Sequence, residues 1–82
     1  HYAVALEYEA GQSAAPKVVA KGVDAMAARI REVAREAGVP IVSDPPLARA
    51  LYKLDLDTEI PGEHWDAVAR IIAFVMRRGA PA

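Results

Sequence analysis

The 82-residue chain contains no cysteine and no asparagine. Without cysteine there is no disulfide, no thiolate nucleophile and no Cys-ligated zinc, a composition that suits a reducing compartment. Without asparagine, no chemistry within the chain runs through an Asn side-chain amide. No apolar run approaches the roughly 20 residues that a membrane-spanning helix needs, and no signal peptide is visible. Charge of one sign is not concentrated: 10 Lys and Arg face 11 Asp and Glu for a net charge of −1. The clustered basic footprint of a nucleic-acid or anionic-membrane binder is therefore missing. Aromatic residues make up only 6%. What is present is an apolar fraction of 54%, enough for a packed core, with an ordinary 26% of charged residues. A chain this short buries only about 60% of its unfolded surface, so residues 1–82 are expected to form one small domain.

The hydrophobic pattern divides the chain into short elements. Residues 2–8 alternate, with Tyr2, Val4, Leu6 and Tyr8 on one side and Ala3, Ala5 and Glu7 on the other, which predicts a strand. The small alanines allow both faces to be covered. Residues 9–16, broken by Gly11 and Pro16, read as a loop. Lys17-Val18-Val19-Ala20-Lys21 reads as a second strand closed by Gly22. Asp24 then caps a helix whose inward face is Met26, Ile30, Val33, Ala34 and Ala37, ended by Gly38. Val39-Pro40-Ile41-Val42-Ser43 reads as a third strand, confined to an edge or a start by Pro40. Asp44-Pro45-Pro46 is a strong helix start, with Leu47, Leu51 and Leu54 inward. A last helix from about Gly62 to Arg77 carries the stripe Trp65, Val68, Ala69, Ile72, Val75 and Met76, with Gly79 and Pro81 stopping it. The expected fold class is α/β: a small three-stranded sheet, completed by an upstream strand, flanked by about three helices.

Catalytic chemistry finds little to use. The hydroxyl nucleophiles are Ser13, Ser43 and Thr58. A triad needs a histidine held in reach and oriented by a third group, whereas His1 is terminal and His64 lies on a helix start. His64 with Glu63 and Asp66 reads as solvated first-turn residues rather than a metal site, and no glycine loop has phosphate-cradling spacing. Lys17 and Lys21 read as edge-strand lysines that discourage further pairing, not as a basic binding edge. Trp65, in helical register with Val68 and Ile72, reads as core, with a ligand platform as the alternative, and Tyr2 and Tyr8 read as strand packing.

Six blocks in register supply a more specific expectation. His1-Tyr2-Ala3-Val4-Ala5-Leu6, Ala15-Pro16-Lys17-Val18-Val19-Ala20-Lys21-Gly22-Val23-Asp24, Ile30-Arg31-Glu32 and Val39-Pro40-Ile41 come first. Pro45-Pro46-Leu47-Ala48-Arg49-Ala50-Leu51-Tyr52 and Ile60-Pro61 with Ala67-Val68-Ala69 follow. Together they resemble the cytoplasmic C-terminal domain of the type III export-apparatus switch proteins, the family of flagellar FlhB and injectisome YscU, SpaS and HrcU. The blocks look more like the flagellar or plant-pathogen branch. Two features depart from the family: residues 53–59 are slightly short, as in stand-alone homologues, and His64-Trp65 replaces the commoner Leu-Tyr or Phe-Tyr.

The resemblance implies a membrane-embedded upstream half and an Asn-Pro-Thr-His loop of which His1 is the last residue. In the family the Asn cyclises onto its own carbonyl and breaks the chain before Pro, both fragments stay in one sheet, and export switches from early to late substrates. His1 is implied as an accessory of that cleavage; the chain itself is no enzyme and no cofactor or metal is implied. Implied partners are the upstream fragment, export substrates and other export-gate subunits, at the cytoplasmic face of the bacterial inner membrane. The domain touches neither nucleic acid nor, by itself, the membrane. Ala15-Pro16 with Ala69 and Ile72 are candidates for a shallow apolar patch that receives an export signal; the alternative is that Ala69 and Ile72 are ordinary core. Arg49 is a candidate contact for a gate subunit, with a structural salt bridge as the alternative. The competing reading is a stand-alone, non-cleaving homologue that complements a full-length export protein.

Overall fold

A computed structural model describes residues 1–9 and 15–79, with backbone only at 78–79. Its elements are β1 (Tyr2–Glu7), β2 (Lys17–Val23), α1 (Ala25–Glu36), α2 (Pro45–Tyr52), a 3₁₀ turn (Gly62–His64) and α3 (Trp65–Gly79). The α/β class and the three helices agree with the sequence pattern. Part of the loop expected at 9–16, including Gly11 and Ser13, lies outside the described residues, as does Pro81.

β1 and β2 pair antiparallel, with Tyr2 opposite Val23 and Ala5 opposite Ala20. The register then shifts, so that Leu6 faces Val18 and Val19 is the extra residue of a bulge. Because side chains alternate with period two, one inserted residue flips everything beyond it. Val18 thereby turns into the core, where it is fully buried, while Val19 is left exposed. One face of the sheet carries Val4, Leu6 and Val18 into a core with Leu47, Leu51, Ile60 and Val68. The other face offers Ala3, Ala5, Ala20 and Gly22, and α1 packs there against both strands.

That small-residue face decides how α1 sits. Ala27 is its buried residue, whereas Met26 and Val33 are exposed. The expected inward face centred on Met26 is thus corrected by a rotation of the helix. The backbone approaches closely enough that a Cβ at Gly22 would meet Met26 Cβ at 2.8 Å and its carbonyl carbon at 3.1 Å. Asp24 occupies the cap position but makes no side-chain cap bond. The helix ends as expected: Gly38 has φ 74°, its N–H donates to the Arg35 carbonyl (3.2 Å), and Val39 N–H donates to the Ala34 carbonyl (2.8 Å). This is a Schellman termination.

The third strand expected at 39–43 does not form. Those residues run as an irregular connector with Val39, Ile41 and Val42 exposed. Pro40 has no N–H to offer a ladder, and the run of apolar residues is consecutive instead of alternating. The segment that joins the sheet is 57–60. Val18 N–H donates to Thr58 O (3.0 Å), Asp57 N–H to Val18 O (2.7 Å) and Ile60 N–H to Pro16 O (2.8 Å), with a bridge between Lys17 and Glu59. The outer edge of β2 is covered there. Among the described residues, no backbone hydrogen bond is made on the outer edge of β1.

α2 begins as its sequence dictates. Asp44 Oδ1 accepts the Leu47 N–H (3.3 Å) and Pro45 opens the first turn. Leu47 and Leu51 are buried. Its C-terminal end is closed from the sheet: Lys21 Nζ donates to the carbonyls of Tyr52 (3.0 Å) and Leu54 (2.7 Å). Lys21 also lies 5.3 Å from the centre of the Tyr52 ring, which meets Tyr2 edge-on. The edge-strand reading of Lys21 is therefore corrected to a pin between β2 and α2, and its charge suits the negative end of the helix.

Candidate functional site

Trp65 is the largest departure from the sequence expectation. It is 56% exposed, and its Nε1–H donates to the Ile60 carbonyl (2.7 Å). The indole is thus held at the surface at the start of α3, where an aromatic body and a fixed polar handle suit contact with a partner. Its stripe neighbour Val68 is buried, Ile72 is half-buried and Ala69 is exposed.

These residues line one groove of about 430 Å³. Pro16, Ala15 and Tyr8 form one wall; Trp65, Val68, Ala69, Ile72, Ala73 and Met76 of α3 form the other. None of the nine residues carries a charge. The two walls are joined through one residue: Ile60 donates its N–H to Pro16 O (2.8 Å) and accepts Trp65 Nε1–H on its own carbonyl. Ile60 is itself fixed by burial in the core, so the groove has a rigid seam. The four candidate patch residues Ala15, Pro16, Ala69 and Ile72 fall together in it. Trp65 enters through its alternative reading as a ligand platform, while Tyr8, Val68, Ala73 and Met76 were not among the candidates. The signal available for the α3 residues was the width of the apolar stripe on that helix, which is broader than one core contact requires.

The remaining candidates lie elsewhere. Arg49 is exposed on α2 and outside the groove. His1 is exposed at the start of β1, its carbonyl accepting the Asp24 N–H (2.8 Å) and its Nδ1 4.0 Å from Asp24 Oδ1. A second, smaller cavity of about 270 Å³ lies between Val42, Asp44 and the Ala67–Phe74 side of α3. Thr58 uses its hydroxyl on the Asp55 carbonyl (2.6 Å). No group of three His, Asp or Glu side chains is arranged for a metal among the described residues, and no helix there is long and apolar enough to cross a membrane.

Among the described residues, this α/β domain thus presents an uncharged groove beside a smaller cavity, and no cluster arranged for metal chemistry. Comparison with known proteins gives that class a family. Residues 1–75 match the FlhB HrpN YscU SpaS family. The chain is 50% identical over 76 residues to flagellar biosynthetic protein FlhB of Escherichia coli (strain K12), covering 92% of this chain and 20% of that protein. It is 45% identical over 80 residues to hypersensitivity response secretion protein HrcU of Ralstonia nicotianae, covering 98% and 22%. Its fold superposes on the cytoplasmic domain of FlhB from Shewanella putrefaciens with a TM-score of 0.86 and 56% identity, over 93% of this chain and 62% of that one. The chain belongs to the FlhB HrpN YscU SpaS family, a family of the bacterial type III export apparatus. It spans about a fifth of the length of the curated relatives it matches.

Proposed function

We propose that this domain acts as a substrate-specificity switch of a type III export apparatus at the cytoplasmic face of the bacterial inner membrane, and that the groove between Pro16 and α3 receives the export signal. The observation that carries the reading is the convergence of Ala15, Pro16, Ala69 and Ile72 on one uncharged surface in a chain of this family. A groove of this size suits a few apolar side chains of an extended segment, held weakly enough to be released.

The switch itself is self-cleavage at an Asn-Pro bond just upstream of His1. The Asn attacks its own backbone carbonyl, so positioning in a turn is the main requirement. The two fragments remain together because the upstream segment pairs with the unbonded outer edge of β1, as strand addition at an open edge allows. Arg49, exposed on α2, contacts a neighbouring gate subunit.

The test of the groove is Ala69→Asp in the full-length protein. Ala69 is exposed, so the variant folds, yet a carboxylate is placed in an apolar site. Secretion of early substrates should fall by about tenfold or more, since leaving a charge desolvated against an apolar partner costs well over 1.4 kcal/mol. Ala15→Asp should act in the same direction. Undiminished early secretion by a folded Ala69→Asp protein removes the groove from the reading.

A further inference from the structure

The groove is uncharged along its walls, but its two ends are not alike. At the N-terminal end of α3 stands Trp65, 56% exposed. Its Nε1–H is taken up by the Ile60 carbonyl (2.7 Å). The indole has no other donor, so what it offers a partner is its π face alone. Two exposed carboxylates flank it in sequence, Glu63 in the 3₁₀ turn and Asp66 in the first turn of α3. Neither is held in an ion pair among the described residues. The opposite wall adds charge of the same sign. Ile60 N–H ties Pro16 to this end, and Tyr8, which lines the same groove, sits between the exposed Glu7 and Glu9. Lys17 opposes them, but it is shared between its sheet partners Glu7 and Glu59. At the far end Met76 is followed by the exposed Arg77. From Trp65 to Arg77 the helix rises about 18 Å. That exceeds the roughly 10 Å over which exposed charges act at about 0.1 M salt, so the basic end does not neutralise the acidic one.

We propose that the Trp65 end of the groove is a subsite for a basic residue. An extended segment lays its apolar side chains along α3 and places a neighbouring Lys or Arg over the indole, beside Glu63 and Asp66. The inference rests on the groove reading above and names the partner's chemistry: an apolar run with a cation next to it. The negative face of an aromatic ring attracts a cation, and the two carboxylates add to that field. The N-terminus of α3 opposes it with roughly half a positive charge, which two full negative charges outweigh. A carboxylate in the same position of the segment meets Glu63, Asp66 and the ring face together and is repelled. The apolar walls select for apolar side chains; this end selects for sign.

The probes are synthetic peptides, blocked at both ends, that share one apolar run and differ only in the residue beside it: Lys, Gln or Glu. One set carries that residue before the run and a second set after it. Trp65 is the only tryptophan of the chain, so its emission reports occupancy of this end directly. Dye-labelled peptides and anisotropy serve for the variants. In at least one set, the Lys peptide should bind the parent about two- to fivefold more tightly than the Gln peptide, equivalent to about 0.5–1 kcal/mol. The Glu peptide should bind more weakly than either, and added salt should narrow the differences. Trp65→Leu and the double variant Glu63→Gln/Asp66→Asn should each bring the Lys-to-Gln ratio toward one, whereas Arg77→Gln should leave it unchanged. The ratio is taken within one variant, so a general weakening of binding cancels. Equal binding of Lys and Gln peptides by the parent in both sets, or full preference retained by Trp65→Leu, overturns the subsite; the groove reading still stands where Ala69→Asp abolishes binding of the Gln peptide. Failure of every peptide to bind, or parental binding of the Gln peptide by Ala69→Asp, overturns the groove reading and this inference with it.

Discussion

Lys21 shows what a single side chain contributes that its sequence position conceals. Read along the strand it is one of a pair of lysines with Lys17, and the two look equivalent. In the fold they are not: Lys17 is exposed, whereas Lys21 reaches 31 and 33 residues onward to the carbonyls of Tyr52 and Leu54. Only the placement of α2 over β1 and β2 reveals this, so no local pattern could have found it. Trp65 and Met26 were misplaced for the same reason, as helical spacing gives a stripe but not its depth. Lys21→Met retains the apolar stem and leaves two carbonyls at the end of α2 without their charged donor. The expected loss is about 1–2 kcal/mol. It should appear as a lower urea midpoint at unchanged slope. Lys17→Met should stay within about 0.5 kcal/mol of the parent.

Among the elements, the helices and the two strands β1 and β2 were legible, whereas the segment that borders β2 was not. A helix announces itself locally, through Asp44-Pro45-Pro46 at one end of α2 and Gly38 after α1. A strand exists only by virtue of its partner. Residues 39–43 are apolar and β-branched, yet no free edge meets them, while the polar segment 57–60 pairs with β2 because the bulge at Val19 and the turn at Asp57 (φ 63°) bring it there. The candidate groove shares this history: its α3 wall was readable from periodicity, but its closure on Pro16 depends on Ile60 N–H. The two aspartates before helices make the contrast measurable. Asp44 accepts the Leu47 N–H, and Asp44→Ala should cost about 1 kcal/mol. Asp24 makes no such bond and carries a positive φ, so Asp24→Gly should cost nothing or stabilise the domain. Parallel thermal unfolding of the two variants reads both signs; equal losses would make Asp24 an ordinary cap.

At the scale of the whole molecule, the core and the proposed recognition groove draw on the same few elements. The sheet, α2 and the inner side of α3 close over Val18, Leu47, Leu51, Ile60 and Val68, a core of little redundancy. A domain of this length has a net stability of roughly 4–12 kcal/mol. Ile60 is 2% exposed, and Ile60→Ala should remove about 2–4 kcal/mol, a large share of that total. Its main-chain groups, which join the two walls of the groove, survive the substitution. Ile60→Ala should therefore lower the urea midpoint sharply, yet bind an export-signal peptide with nearly parental affinity at a temperature where the domain is still folded. Ala69→Asp should do the reverse, keeping the midpoint and losing the peptide. Titrating both folded variants with one such peptide tests the separation. A folded Ile60→Ala domain that loses binding as completely as Ala69→Asp would mean that the shape of the groove depends on the Ile60 side chain and not on its peptide groups alone.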